Sequence, residues 1–191
     1  MSENCFVKAM NMTKSFDGVT VIDDLSFEFD EPGIYLVQGD SGKGKTTLLR
    51  ILAGLDKCDS GEVTVNGKTG VVFQEPRLFD NVSLLENVKL VSDGTSAGDP
   101  MALLSAVGLG DDAGKTAAES SGGMCQRAAI CRALYYGPDV LLCDEPFSAI
   151  DDNNTRLAAA LLEQFALTGI CIVATHGGDV PFDHVKAILT L

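Results

Sequence analysis

The sequence has few basic residues, no Cys-x-x-Cys pair and no long apolar run. Its 14 lysine and arginine residues are outnumbered by 27 acidic residues, which gives a formal net charge of −13. An acidic surface repels a phosphate backbone, so this charge argues against a nucleic-acid-binding protein. It fits a solvated surface, or a partner with a basic face such as Lys- and Arg-rich loops at a membrane.

Apolar segments approaching the ~20 residues that cross a bilayer are also lacking. The first residues, MSENCFVKAM, show no basic stretch followed by an apolar run, so we expect no signal peptide. The six cysteines are scattered, mostly through apolar stretches, and we expect reduced thiols packed in the core of a cytosolic protein. The length of 191 residues and an apolar fraction of 46% fit one globular domain, residues 1–191.

Alternating strand and helix patterns indicate an α/β fold. Residues 6–38 predict strands broken by turns, and the helical spacing of TTLLRILAGL ends near Gly54. The dipeptide Asn66-Gly67 predicts a hairpin that leads into a further strand. From residue 140 onward, VLLC, TRLAAALLEQFAL, ICIVAT and VKAILTL alternate as strand, helix, strand and strand. This order predicts a mostly parallel sheet covered by helices, with an antiparallel β part before it.

The middle of the chain has a different character. Ser83 and Glu86 form a capping-box pattern for one helix, and Asp99-Pro100 starts another that Gly108 stops. Segments rich in Gly, Asp and Ser, including residues 93–99, predict loops. We therefore predict a helical subdomain over about residues 75–137, inserted into a core formed by residues 1–74 and 138–191.

A glycine-rich segment stands between a predicted strand and a predicted helix, and it fits G-x-x-x-x-G-K-[ST]. Glycines let backbone N–H groups curve around phosphate oxygens, and the following helix directs its positive end at the same anion. The lysine is expected to bridge the β- and γ-phosphates, and the first threonine to ligate Mg²⁺. The alternative is a glycine loop that merely turns the chain. We assign ATP contacts to Gly39, Asp40, Ser41, Gly42, Lys43, Gly44, Lys45, Thr46 and Thr47.

Two acidic residues follow the apolar run VLLC. Ligands of α/β sheets bind at the carboxyl ends of strands, where Asp144 and Glu145 would lie. Asp144 suits an outer-sphere role at Mg²⁺, and Glu145 suits the orientation or deprotonation of an attacking water. An apolar run followed by Asp-Glu is common on its own, so this interpretation depends on the glycine-rich segment.

The stretch from Ser120 to Arg127, SSGGMCQR, followed by AAICRAL, resembles the LSGGQ-x-QR signature of the ATP-binding cassette (ABC) family. Ser120 replaces the usual Leu and Met124 the usual Gln, while Ser121, Gly122 and Gly123, which touch phosphate in that family, are intact. The other family elements follow in order, so the resemblance covers nearly the whole chain. The chain is thereby identified as resembling a phosphate-loop ATPase of this family.

The resemblance implies a role for four further residues. Phe16 would stack on adenine, Gln74 would sense Mg²⁺ and the attacking water, His176 would act as the switch histidine, and Asp151 would lie where subunits meet. Taken alone, Phe16 could be a packed aromatic, Gln74 a satisfied polar group at a strand end, His176 a cap on a strand, and Asp151 the cap of a helix that begins near Asn154.

The resemblance also implies a mechanism and partners. Ser121, Gly122 and Gly123 of one copy close over ATP in a second cassette, which makes an ATP-dependent homodimer with two sites. Glu145, with His176, Lys45 and Gln74, would carry out hydrolysis, and Mg²⁺ would be held by Thr46, Gln74 and Asp144. The partners would be transmembrane permease subunits rather than nucleic acid, and the chain would be a cytoplasmic protein on the cytosolic face of the membrane.

The segments QEPRLF, LLENV and DEPFSAID look most like importers of the nitrate, sulfonate and taurine group. Residues near Arg77, Leu78 and Phe79 are then expected to contact the permease. Two alternatives stay open: a non-transport ABC ATPase, for example in iron–sulfur cluster assembly, and a nucleotide-binding switch without useful turnover.

Overall fold

The computed structural model describes residues 5–92, 98–177 and 180–191. The loop predicted over residues 93–99 therefore lies largely outside the described residues. The strands are β1 (Phe6–Phe16), β2 (Val19–Phe29), β3 (Gly33–Gln38), β4 (Ser60–Asn66), β5 (Thr69–Val72), β6 (Val140–Asp144), β7 (Ile170–Thr175) and β8 (Ala187–Thr190). The helices are α1 (Lys45–Leu52), α2 (Leu84–Lys89), α3 (Pro100–Ala106), a 3-10 helix (Ala117–Glu119), α4 (Gly122–Tyr135) and α5 (Asp152–Ala166).

Two sheets form the core. Five strands are paired in parallel in the order β5-β6-β7-β3-β8, and three N-terminal strands are antiparallel in the order β2-β1-β4. Successive residues of the fully apolar strand segment Leu141–Cys143 point to opposite faces, where they join two separate apolar clusters. Helix α1 contacts β6 and β7, while α5 contacts β3 and β7. The predicted α/β class, with a mostly parallel sheet and an antiparallel part, is confirmed.

The hairpin predicted at Asn66-Gly67 is wrong. Strand β4 pairs with β1 in the antiparallel sheet, whereas β5 pairs in parallel with β6 in the other sheet. Asp139 fixes the connection, because its side chain accepts a hydrogen bond from the Lys68 N–H at 2.7 Å and its own N–H donates to the Lys68 carbonyl at 2.7 Å. The Asn-Gly signal for a turn is local, and here the turn passes the chain from one sheet to the other.

The inserted helices begin where their capping residues predicted. The Ser83 hydroxyl accepts a hydrogen bond from the Glu86 N–H at the start of α2, and the Asp99 carboxylate accepts from Met101 N–H at the start of α3. Gly108, at φ +72°, follows the end of α3. Helix α4 packs on α2, α3 and β5. Helices α2, α3 and α4 lie in the chain between β5 and β6. The helical subdomain over about residues 75–137 stays a prediction.

All six cysteines are free thiols, and Cys131, Cys143 and Cys171 are buried. Burial raises the pKa of the Cys131 thiol to about 12, so this thiol stays protonated at neutral pH. Within residues 5–92, 98–177 and 180–191, no helix is both long enough and apolar enough to cross a membrane.

Candidate nucleotide-binding site

The glycine-rich loop connects β3 to α1 at the carboxyl edge of the parallel sheet. Gly44, the residue before α1, has φ +92°, and a Cβ atom there would lie 2.8 Å from the Val21 carbonyl oxygen. Both the backbone angle and the close contact therefore require glycine at this position. The first turn of α1 directs its N–H groups at the loop, which gives the site the positive end of a helix.

Lys45 lies at the bottom of this loop with 5% of its surface exposed. Its Nζ donates hydrogen bonds to the carbonyl oxygens of Gly39 at 2.7 Å and Asp40 at 3.2 Å, and it lies 3.4 Å from Nδ1 of His176. The two carbonyl acceptors carry no net charge. A phosphate in the loop would offer the ammonium shorter and stronger charge-assisted bonds.

Glu145 contacts two residues, Gln74 and His176, that lie far from it in the sequence. Its Oε1 lies 2.6 Å from Nε2 of His176, and its Oε2 accepts a long hydrogen bond of 3.5 Å from Nε2 of Gln74. The backbone of Glu145 has φ +46°, in the left-handed region that a residue with a Cβ rarely occupies. Such strain is found where the surrounding structure fixes a side chain for function.

Asp144, at the end of β6, is buried with 6% of its surface exposed. Its Oδ1 atom has no hydrogen-bond partner within the described part of the chain. Burial raises the pKa of the Asp144 carboxyl, and a hydrogen bond from the Thr46 hydroxyl opposes this rise. Asp144 lines one cavity with Thr46 and Gln74. The carboxylate, hydroxyl and amide oxygens of these three residues are hard donors, which fits Mg²⁺.

A cavity of about 260 Å³ brings nine of the predicted residues together. Val21, which the sequence analysis did not single out, also lines it; within VTVIDD it has the pattern of an ordinary strand residue, so no signal marked it. The lining consists of Val21, Ser41, Gly42, Gly44, Lys45, Thr46, Thr47, Gln74, Glu145 and His176.

The signature residues lie apart from this cavity, at the start of α4. The Ser121 hydroxyl accepts a hydrogen bond of 3.2 Å from the Met124 N–H and caps the helix. A Cβ atom on Gly123 would lie 2.8 Å from the Ala149 carbonyl oxygen, so this glycine lets the helix approach the segment before α5. The fourteen-residue helix α4 begins here, so its first unpaired N–H groups lie at Ser121, Gly122 and Gly123, none of which lines the cavity.

Asp151 and Phe16 have contacts that bear on their alternative interpretations. Asp151 caps α5, because its carboxylate accepts from the Asn154 backbone N–H at 3.1 Å and from the Asn154 side chain at 2.6 Å. The helix-cap interpretation of Asp151 is therefore confirmed, and its place between subunits stays a prediction. Phe16 ends β1 with 48% of its surface exposed, so it is not a packed core aromatic.

Two side chains after the signature have contacts that the sequence analysis did not assign. Gln126 is fully buried, and its Nε2 donates to the Phe73 carbonyl at 3.1 Å, directly before Gln74. Arg127 donates to Asn154 Oδ1 at 2.7 Å and to the Val107 carbonyl. All three contacts join residues at least 20 positions apart in the sequence, so local patterns carry no signal for them.

Comparisons with known proteins agree with this geometry. The profile of the family described as "ABC transporter" matches residues 22–148. The chain is 44% identical over 178 residues to the aliphatic sulfonates import ATP-binding protein SsuB 2 of Burkholderia cenocepacia, covering 87% of this chain and 66% of that protein. It is 44% identical over 184 residues to the SsuB protein of Delftia acidovorans, covering 94% of this chain and 76% of that one.

Solved structures share the fold. A dimeric, post-hydrolysis state of the ATP-binding cassette MJ0796, bound to ADP and Pi, superimposes with a TM-score of 0.80 at 28% identity over 90% of this chain and 88% of that one. A bacterial Atm1-family ABC exporter with ATP bound gives a TM-score of 0.81 at 24% identity, over 92% of this chain and 35% of that one. Because the family profile matches about two thirds of this chain, the chain belongs to the ABC transporter family.

Proposed function

We propose that this chain binds and hydrolyses ATP and thereby powers the transport of a solute across a membrane through a separate permease. The observation that carries the proposal is the single cavity that places Lys45, Glu145, Gln74 and His176 around a phosphate-binding loop. The names of the SsuB relatives, which are import ATP-binding proteins, favour a transporter over iron–sulfur cluster assembly or a switch without turnover. They also favour an organic sulfonate or a related anion as the solute.

ATP would occupy the loop with its triphosphate. Backbone N–H groups from Gly39 to Thr47 would surround the phosphates, and Lys45 would leave its carbonyl acceptors to bind the β- and γ-phosphate oxygens. Phe16 would stack on the adenine. Little covalent help is needed for phosphoryl transfer, so positioning and charge neutralisation supply most of the catalysis.

Glu145 would accept the proton of the attacking water. His176 Nε2, 2.6 Å from Oε1 of Glu145, would hold that carboxylate in position. Gln74, which contacts the other carboxylate oxygen, Oε2, would bind the same water. A general base placed in this way contributes ~10²–10⁴ in rate. The strained backbone of Glu145 would fix its carboxylate next to the γ-phosphate.

Thr46, Gln74 and Asp144 fit Mg²⁺ and would hold it. When bound, Mg²⁺ supplies positive charge that neutralises the phosphate oxygens. A cation would supply the missing partner of Asp144, because this buried residue has a carboxylate oxygen that accepts no hydrogen bond within the described residues.

The Asp144→Asn variant is expected to unfold at a higher temperature than the wild type while losing most of its ATP hydrolysis. The raised pKa of Asp144 means that its ionised form costs folding free energy above that pKa, and the cost disappears as pH falls and the carboxyl is protonated. Removing the charge should add about 1 kcal/mol near pH 7, or about 2–4 °C, and less near pH 4. Thermal unfolding without nucleotide measures this.

Asp111→Asn is the matched control, because Asp111 is exposed and lies far along the chain from the site. Its unfolding midpoint should stay at the wild-type value. A lower midpoint for Asp144→Asn than for the wild type would contradict the assignment of Asp144 as a buried carboxylate that waits for a cation.

Two copies would complete each site. Ser121, Gly122 and Gly123 begin a long helix away from their own chain's cavity, so they would supply N–H donors to ATP held by a second copy. Hydrolysis would then weaken the dimer, because the γ-phosphate contacts disappear. Asp151, beside the same helix, would lie at the junction of the two copies.

The permease would contact the surface around Arg77, Leu78 and Phe79. Phe79 is 63% exposed, and the Arg77 guanidinium stacks on the Phe73 ring at 3.8 Å. Arg132 of α4 donates to the Pro76 and Arg77 carbonyls at 2.8 and 2.7 Å, so this segment is held by the signature helix. A cavity of about 220 Å³ between α1 and this segment is lined by Leu55 and Arg77 as well as by Thr46, Gln74 and Asp144. A permease loop that entered it beside Leu55 and Arg77, at the cytosolic face of the membrane, would lie next to the residues assigned to Mg²⁺.

Purification of the tagged chain from detergent-solubilised membranes of its native host tests the proposal. We expect a multi-span membrane protein in stoichiometric amount, identified by mass spectrometry. Truncating Phe79 to Ala should reduce the recovery of that protein, whereas truncating the still more exposed Leu167 to Ala should not. Recovery with cytosolic proteins alone would contradict the role in transport.

A further inference from the structure

We propose that Lys14 and Asp59 are positioning residues for nucleotide binding, which hold the Phe16 ring ready to receive the adenine. The inference rests on the proposed function, since it takes adenine stacking on Phe16 as its starting point. The sequence analysis assigned no role to either residue, and each acts through the ring rather than through the nucleotide.

Asp59 fixes the last residues of β1 before Phe16. Its backbone N–H donates to the Thr13 carbonyl at 2.9 Å, and its Oδ2 accepts from the Ser15 N–H at 2.7 Å. Its Oδ1 accepts from Nζ of Lys14 at 2.8 Å. Asp59, which directly precedes β4, thus binds the three consecutive residues 13–15. Phe16 is the next residue of the chain.

Lys14 acts on the ring itself. Its Nζ lies over the Phe16 ring at 5.1 Å from the centroid, within the range of a cation–π contact. Only 16% of the Lys14 side chain is exposed, so the ammonium is held against the ring and not free in solvent. With one face next to the ammonium, the exposed remainder of the ring is available to a base.

The position of Phe16 in the sheet brings this ring close to the phosphate loop. Phe16 pairs with Val19 across the tip of the β1-β2 hairpin. Two residues further along β2, Val21 lines the phosphate cavity, and its carbonyl lies against Gly44. Strand residues advance about 3.3 Å each, so the backbone that carries the ring lies about 7 Å along β2 from the residue that lines the phosphate cavity.

A ring that is already fixed loses little conformational freedom when a base stacks on it. Without the ammonium and its carboxylate partner, an exposed phenylalanine at a hairpin tip can adopt several rotamers. The base-dependent part of ATP affinity should therefore depend on Lys14 and Asp59, whereas the phosphate-dependent part should not.

Isothermal titration of two ligands separates these parts. ATP and inorganic tripolyphosphate share a triphosphate group, and only ATP has a base. We expect Lys14→Met to weaken ATP binding by about two- to five-fold, the size of a cation–π contact at an exposed site, and to leave tripolyphosphate binding unchanged. Lys14→Arg keeps a cation that can pair with Asp59, and should restore the wild-type ratio of the two affinities.

Lys8→Met is the matched control. Lys8 lies on the same strand and pairs with Glu28 at 2.9 Å across the sheet, so the variant removes the same charge and an ion pair away from Phe16. Both ligands should bind it as they bind the wild type. In a Phe16→Ala background, Lys14→Met should have no further effect on the ratio.

Three results would overturn the inference: equal weakening of ATP and tripolyphosphate by Lys14→Met, unchanged ATP affinity, or a loss of selectivity that persists without the Phe16 ring. Should Lys14→Met fail to fold, Asp59→Asn supplies the same comparison, because its amide oxygen can still accept from Ser15 N–H. A wild type that binds no ATP refutes the proposed function instead. The two failures are therefore distinct.

Discussion

Replacement of Glu145 by Gln is expected to reduce steady-state ATP hydrolysis by about 10²–10⁴-fold while ATP still binds. The amide cannot accept a proton from water, whereas Lys45 and the loop N–H groups, which bind the phosphates, are unchanged. ATP that is bound and not cleaved should hold two copies together. Phosphate release measures the rate, and light scattering after size exclusion with ATP measures the dimer.

Glu62→Gln is the control for this experiment, since Glu62 lies exposed on β4 and has no part in the site. It should hydrolyse ATP like the wild type. A Glu145→Gln protein that turns over ATP at the wild-type rate would remove Glu145 from the mechanism, and with it the interpretation of its contact with His176.

Replacement of Lys45 by Met is expected to weaken ATP binding by about 100-fold or more. A charge-assisted hydrogen bond contributes about 1.5–3 kcal/mol, and the lysine should make two of them to phosphate. Methionine has similar length and tolerates a buried position, so the fold should persist. Isothermal titration with ATP gives the affinity, and thermal unfolding without nucleotide checks the fold.

Lys57→Met provides the comparison, because Lys57 is exposed on the connection between α1 and β4. This variant loses the same charge but no contact in the loop, and it should bind ATP within about two-fold of the wild type. If Lys45→Met also bound ATP within about two-fold, the buried ammonium would have no role in phosphate recognition.

Much of the fold followed from short-range patterns. The caps at Ser83 and Asp99, the end of α1 near Gly54 and the alternation from β6 to β8 all stand where the sequence placed them. Each depends on interactions within a few residues, or on the burial of a whole strand. Strand β4 pairs with β1 and strand β5 pairs with β6, in each case with residues more than 40 positions away in the sequence. The Asn66-Gly67 turn carries no information about these partners.

The site divides in the same way. The phosphate loop is one continuous segment, and its glycines and Lys45 could be predicted from residue types alone. The contacts of Glu145 with Gln74 and His176 join residues 71 and 31 positions apart in the chain. Only the resemblance to the ABC family predicted that these side chains meet, whereas Val21 and the contacts of Lys14 and Asp59 with the end of β1 became visible in the structure.

The most direct test of the account is ATP hydrolysis by the complex that the tagged chain brings from native membranes, reconstituted into lipid vesicles. We expect steady phosphate release that disappears in the same complex carrying Glu145→Gln, and uptake of solute that requires ATP. A complex with a multi-span membrane protein that releases phosphate equally with Glu145 and with Gln at this position would contradict the account.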